Sequence, residues 1–144
     1  MQPLEVLEQE LFDYGIDLFC HEINGLKALA IKINNKLGIA IDNSLISSSY
    51  EKREILLHEY YHLKEPKYMY DFDTSDRAVA VREGKIKRKL FLEILPLNVL
   101  LSFIERKIPS WEIAEELCMT EQFVLDAFNY YKEKGVIKSA NLQD

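Results

Sequence analysis

Residues 55–64 read Ile-Leu-Leu-His-Glu-Tyr-Tyr-His-Leu-Lys, and His58-Glu59-Tyr60-Tyr61-His62 within them has the form HExxH. On an α-helix, positions i and i+4 share a face one turn apart, so both imidazoles can be aimed at one point. Imidazole is a good zinc ligand, and two of them leave room for a third ligand and a water. Glu59 is rotated about 100° from His58, which removes it from the ligand set but leaves it within reach of that water. Zinc lowers the pKa of the water, and a neighbouring carboxylate can take its proton and pass it to a leaving amine. The chain holds three histidines, and two of them are in the motif. Multiplying residue frequencies gives about 0.01 chance matches in a chain of this composition. The competing reading is a helix with partly exposed histidines and a solvated glutamate.

Outward from the motif, Ser48 followed by Glu51 has the form of a capping box that opens this helix. Upstream lie three β-rich runs, IDLFCHEI, LKALAIKI and LGIAID, punctuated by Asn24-Gly25 and Asn34-Asn35. Asn-Gly between two such runs signals a hairpin, because both central residues accept positive φ. A three-stranded antiparallel meander is therefore expected. Before it, Leu4 to Tyr14 places Leu4, Leu7, Leu11 and Phe12 on one helical face. Downstream, a long helical pattern runs from about Ser75 to Leu95 and stops before Pro96, and Leu97 to Gly135 reads as three short helices. Ser110 and Thr120 are expected N-caps there, and Gly135 a C-cap. The fold class is α+β: the meander packs against the HExxH helix and a second long helix, with a helical C-terminal tail. The expected division is a zincin-like core at 1–96 and a helical subdomain at 97–144.

The totals narrow the class. The 144 residues suit one domain, or one with a small appendage, and 48% hydrophobic with 29% charged residues suits a globular protein. A net charge of −6 argues against a polyanion binder, so direct nucleic-acid binding is not expected. The N-terminus has no basic stretch followed by an apolar one, so no signal peptide is expected. The most apolar window, LFLEILPLNVLLSFI, is broken by Glu93, Pro96 and Asn98 and is too short to span a bilayer. Cys20 and Cys118 match no disulfide or metal spacing, which fits free thiols and a cytoplasmic location.

A zinc hydrolase needs a third protein ligand, and the residues present Asp71, Asp73, Asp76, Glu83, Glu93 and His21. Asp71 and Asp73 read equally as turn formers, and Asp76 suits a first helical turn through the helix dipole. Glu83 reads equally as a solvated mid-helix glutamate, and His21 as a half-exposed strand residue. Pattern alone does not choose among them.

The segment GIAIDNSLISSSYEKREILLHEYYHLK resembles the ImmA/IrrE family of HExxH metallopeptidases of bacteria, phages and integrative elements. In that family a β-meander feeds the motif helix, and a second helix carries a glutamate ligand in a pattern close to E-x-x-A-N-x-F-A-x-x-L-L-M-P. Counting back from Pro96 places that glutamate at Glu83. The resemblance therefore implies His58, His62 and Glu83 as ligands of Zn²⁺ and Glu59 as general base. It covers roughly Asp17 to Pro96. The family's Ala-Asn is Ile86-Lys87 here, and its Phe-Ala is Lys89-Leu90. It also implies a protein substrate, typically the helix-turn-helix repressor of a phage or mobile element. The alternative is a non-catalytic regulatory or interaction protein that keeps the metallopeptidase fold.

Lys85, Lys87, Arg88 and Lys89 form a basic cluster that reads as a solvated face or as a surface orienting an acidic substrate segment. Tyr60 and Tyr61 read as core or cleft wall before oxyanion donors. The tail from Pro109 resembles a helix-turn-helix, but its second helix begins Thr-Glu-Gln-Phe and is acidic, unlike a base-reading helix. Partner docking or packing is expected of it, with Trp111, Ile113, Leu117, Phe123 and Phe128 as core.

Overall fold

The computed structural model describes residues 3–65 and 76–137. They form an α+β chain in the order α1 (Leu4–Asp13), β1 (Ile16–Cys20), β2 (Ala28–Ile33), β3 (Lys36–Ile41), α2 (Ser49–Lys64), α3 (Asp76–Ile94), α4 (Leu97–Glu105), α5 (Ser110–Leu117) and α6 (Glu121–Glu133). The chain divides into two compact units, residues 2–86 and residues 87–144, and α3 runs through both.

In the first unit the sheet is mixed, with strand order β1-β3-β2. β1 pairs parallel to β3 and β2 pairs antiparallel to it. This corrects the antiparallel meander. A strand covered on both faces reads as a continuous apolar run; Leu37 to Ile41 is such a run, and Gly38 to Ile41 are all buried. β3 therefore takes the centre. The hairpin is made by Asn34-Asn35, with φ of 49° and 66°, between β2 and β3. Asn24-Gly25 also makes a tight turn, with φ of 49° and 86° and the Leu26 N–H donating to the Ile23 carbonyl at 2.9 Å. That turn sits inside the β1–β2 connection. Cys20 and Ala28 pair with Ile41 from opposite sides, so they stand about 10 Å apart, too far for two residues to bridge. Residues 21–27 span the gap, tied to the end of β3 by His21 N–H to the Ile41 carbonyl and Asp42 N–H to the Lys27 carbonyl.

α2 lies on β2 and β3, and α1 touches α2 and β1. Together they bury Leu7, Leu11, Ile16, Ile39, Ile41, Leu56 and Leu57. Phe12 is 73% exposed and takes no part in the α1 apolar face expected of it. On β3, Gly38 answers to a close approach: a Cβ there would meet the Phe19 ring at 2.8 Å.

The second unit buries Leu100, Phe103, Ile113, Leu117, Phe123, Val124 and Tyr131. Phe91 packs against Phe123 and Tyr130, and the Tyr131 hydroxyl donates to the Leu95 carbonyl at 2.8 Å. Thr120 caps α6 by accepting from Phe123 N–H, as expected. Gly135, at φ 75°, ends α6 with Gly135 N–H to the Lys132 carbonyl and Val136 N–H to the Tyr131 carbonyl, the Schellman arrangement. Ser110 departs from expectation: Pro109 occupies the cap position, and the buried Ser110 hydroxyl donates to Glu121 Oε2 at 2.6 Å. Trp111 is 50% exposed, and Phe128 is half-buried, so neither belongs to the core assigned to them.

Gly38→Ala is expected to cost about 1–3 kcal/mol through overpacking against Phe19, read from urea unfolding. The penalty should shrink in a Phe19→Ala background, and equal penalties in both would exclude this contact as the cause.

Candidate metal centre

The motif helix α2 is anchored at its start. Ser48 Oγ accepts from Glu51 N–H at 3.1 Å, while Glu51 Oε1 accepts from Ser47 N–H at 2.9 Å. The reciprocal half of the capping box is thus displaced by one residue. Lys27 Nζ adds a 3.1 Å contact to Glu51 Oε2. The Ser47 N–H, followed by Lys27, holds the Glu51 carboxyl below the ordinary carboxylate value. From this start, His58 and His62 fall on successive turns of one face, with ring centroids 4.8 Å apart at 71°.

α3 supplies the third group. Glu83 Oε2 lies 2.5 Å from His58 Nε2, and Glu83 Oε1 lies 2.9 Å from His62 Nε2. The two Nε2 atoms are 3.2 Å apart. All the ligand atoms of this trio fall within 4.8 Å of one another. With both imidazoles donating to Glu83, that Nε2–Nε2 contact sets one N–H against another. A divalent cation in place of the two protons would give all three lone pairs a partner. Around a tetrahedral zinc with ligand distances near 2.1 Å, neighbouring ligand atoms stand about 3.4 Å apart. Side-chain shifts under an ångström would open the trio to that spacing, so the donor set fits a metal of this kind. Glu83 is the most open member, at 41% side-chain exposure against 22% for His58 and 10% for His62.

Glu59 leaves α2 toward the sheet. Its Oε2 accepts from Ala30 N–H on β2 at 3.0 Å. The register explains this contact. Asn34-Asn35 makes Ile33 and Lys36 the last pair of the hairpin, and bonding then alternates, so Ala30 N–H points away from β3. β2 is an edge strand, and its outward amide is open to a side chain from α2. Burial raises the Glu59 pKa above its ordinary 4.5, and Glu83 adds to the rise; His58 and the Ala30 amide oppose it. A carboxylate shifted this way is a better proton acceptor near neutrality.

Of the other ligand candidates, Asp71 and Asp73 lie outside the described residues, as does the side chain of Asp76. His21 is exposed, with Nδ1 2.6 Å from the Glu22 carbonyl oxygen, and Glu93 is exposed; neither belongs to the trio. Tyr60 and Tyr61 are 5% and 7% exposed and pack as the core residues they were read to be. Tyr60 stands edge-on to Tyr14, and the Lys64 ammonium lies over both motif tyrosines. Neither the Ala30 amide nor the Lys85–Glu65 contact, with Nζ 3.0 Å from Oε1, was found from the sequence. A backbone amide carries no residue signal, and Lys85 is one basic residue among several.

Burial also pushes the His62 imidazole below its ordinary 6.5; Glu83 opposes this, while His58 and Arg82 reinforce it. His62 is thereby neutral and ready as a ligand at pH 7. As pH falls through 6.5, the unfolded chain takes up a proton here that the folded chain refuses, so folding stability is lost on acidification. In metal-free protein the His62 ring resonances should titrate below 6.5 by NMR; a midpoint at or above that value would mean that the Glu83 carboxylate outweighs burial. Compared with known proteins, the chain matches no family model, no curated sequence and no solved structure.

Proposed function

We propose that this chain is a zinc-dependent endopeptidase of the ImmA/IrrE type that cleaves a regulatory protein, such as the helix-turn-helix repressor of a phage or mobile element. The observation that carries this is the convergence of His58 Nε2, His62 Nε2 and the Glu83 carboxylate, with Glu59 following His58 on the same helix. Zinc bound there supplies Lewis-acid chemistry, polarising a carbonyl and acidifying water. His58 and His62 would hold the ion from one face of α2, and Glu83 would close the set from α3. Glu59 takes a proton from the attacking water and returns it to the leaving amine. The Ala30 amide keeps one oxygen of Glu59 fixed during this exchange.

The four departures from the family's second-helix pattern each suit their place: Ile86 and Leu90 are buried, at 2% and 3% exposure, and Lys87 and Lys89 are exposed. A cytoplasmic setting accords with two free cysteines. Among the described residues no helix is long and apolar enough to cross a membrane.

Purified wild type and Glu59→Gln should carry equal zinc by elemental analysis, whereas His58→Ala and Glu83→Ala should lose it. Cleavage of a repressor encoded beside the gene should fall by about 10²- to 10⁴-fold in Glu59→Gln. Equal biological effect from wild type and Glu59→Gln would favour the non-catalytic interaction protein instead. Full zinc occupancy in Glu83→Ala would move the third ligand to another residue.

A further inference from the structure

The three ligands come from two helices, and the one from α3 is the least confined. The Glu83 side chain is 41% exposed, so packing does not clamp it on every side. Its place beside the histidines therefore depends on how α3 is turned about its own axis. With side-chain atoms about 6 Å from a helix axis, a roll of about 20° carries the carboxylate about 2 Å. Metal sites tolerate about 0.2 Å in ligand distance. Ile86, at 2% exposure, resists a large roll by packing, and a polar tether on a second flank would resist the small one that matters for a ligand.

Lys85 follows Glu83 by two residues, so it leaves α3 about 200° around the helix, on nearly the opposite flank. Its Nζ meets Glu65 Oε1 at 3.0 Å. Glu65 ends α2, and its N–H donates to the His62 carbonyl at 3.1 Å. The ion pair thus ties α3 to the same turn of α2 that carries the second histidine. One tether would let the helix pivot, whereas two tethers on opposite flanks fix its rotation. We propose that Lys85 and Glu65 are positioning residues that hold the Glu83 carboxylate in register with His58 and His62 and so set the metal affinity of the centre. This rests on the metal-site reading above. It also separates Lys85 from the rest of the Lys85–Lys89 cluster: Lys87 and Arg88 are a solvated face, and Lys85 is a strut.

The pair is partly open to solvent, with side-chain exposures of 53% for Lys85 and 19% for Glu65, so its effect has the scale of a surface ion pair. Zinc affinity should weaken about two- to fivefold when either partner is removed. The test is competition against a fluorescent zinc chelator, using wild type, Lys85→Met, Glu65→Gln, the double variant, Lys85→Arg and His58→Ala. Lys85→Met and Glu65→Gln should each weaken binding, and the double variant should be no worse than either. Lys85→Arg should bind as wild type does. The wild-type advantage should vanish at about 1 M salt, where charges are screened within about 3 Å. Melting of the metal-free proteins is measured alongside. If Lys85→Met also lowers the melting point, Gly38→Ala serves as the control, because it destabilises the sheet and should melt lower while keeping wild-type zinc affinity. Wild-type affinity in Lys85→Met, additive single effects, or an advantage indifferent to salt would each overturn the proposal. Loss of zinc in His58→Ala with full affinity in Lys85→Met would remove the strut and leave the metal site standing. Undiminished affinity in His58→Ala would remove both.

Discussion

Glu83 spreads one carboxylate across two imidazoles, an oxygen toward each Nε2, and most of what distinguishes this molecule follows from that contact. It joins residues 25 positions apart in the chain. It can form only if α2 presents both histidines on one face, which the helical repeat guarantees, and if α3 turns one particular position toward them. With both imidazoles donating to the carboxylate, the 3.2 Å approach of the two Nε2 atoms sets one N–H against the other. The same arrangement is favourable around a cation. The three groups are close enough to hold a metal ion.

The sheet contributes to the site through a single amide. Because β3, the most apolar strand, takes the centre, β2 is left at an edge, and because a two-residue turn sets its register, Ala30 N–H faces outward. Glu59 uses that donor. Burial and the neighbouring Glu83 make ionised Glu59 expensive, while the amide and His58 lower the cost. The balance leaves a carboxylate held by one amide and more readily protonated than an exposed glutamate, which suits the general-base role proposed for it. Strand order therefore sets the orientation of Glu59, although no strand residue contributes a side chain to the trio.

Much of this could be read from the chain directly. The HExxH spacing on a helix puts His58 and His62 on one face with Glu59 about 100° away, because 3.6 residues per turn admits no other placement. The Ser48 cap, the Thr120 cap and the Gly135 terminus were readable because each answers a local hydrogen-bonding need. Phe12, Trp111 and Phe128 were misjudged for the opposite reason: an apolar residue on a helical face is buried only if another element covers that face. Ser110 was expected to cap α5, but Pro109 takes that position and the Ser110 hydroxyl donates to Glu121, a residue from the next helix.

The sequence by itself determined the α+β class, the motif helix and the chemical character of His58, Glu59 and His62, since these depend on composition, periodicity and spacing over a few turns. Only the tertiary structure decided the parallel pairing of β1 with β3, because the Asn24-Gly25 turn specifies a reversal but not which strand lies alongside. Only the tertiary structure could likewise bring Glu83 to the histidines, while His21 and Glu93 stay apart from the trio. Local patterns state what each residue can bind. Which of them meet is a matter of how helices and strands pack, and for Glu83 that comes down to the rotation of one helix about its axis.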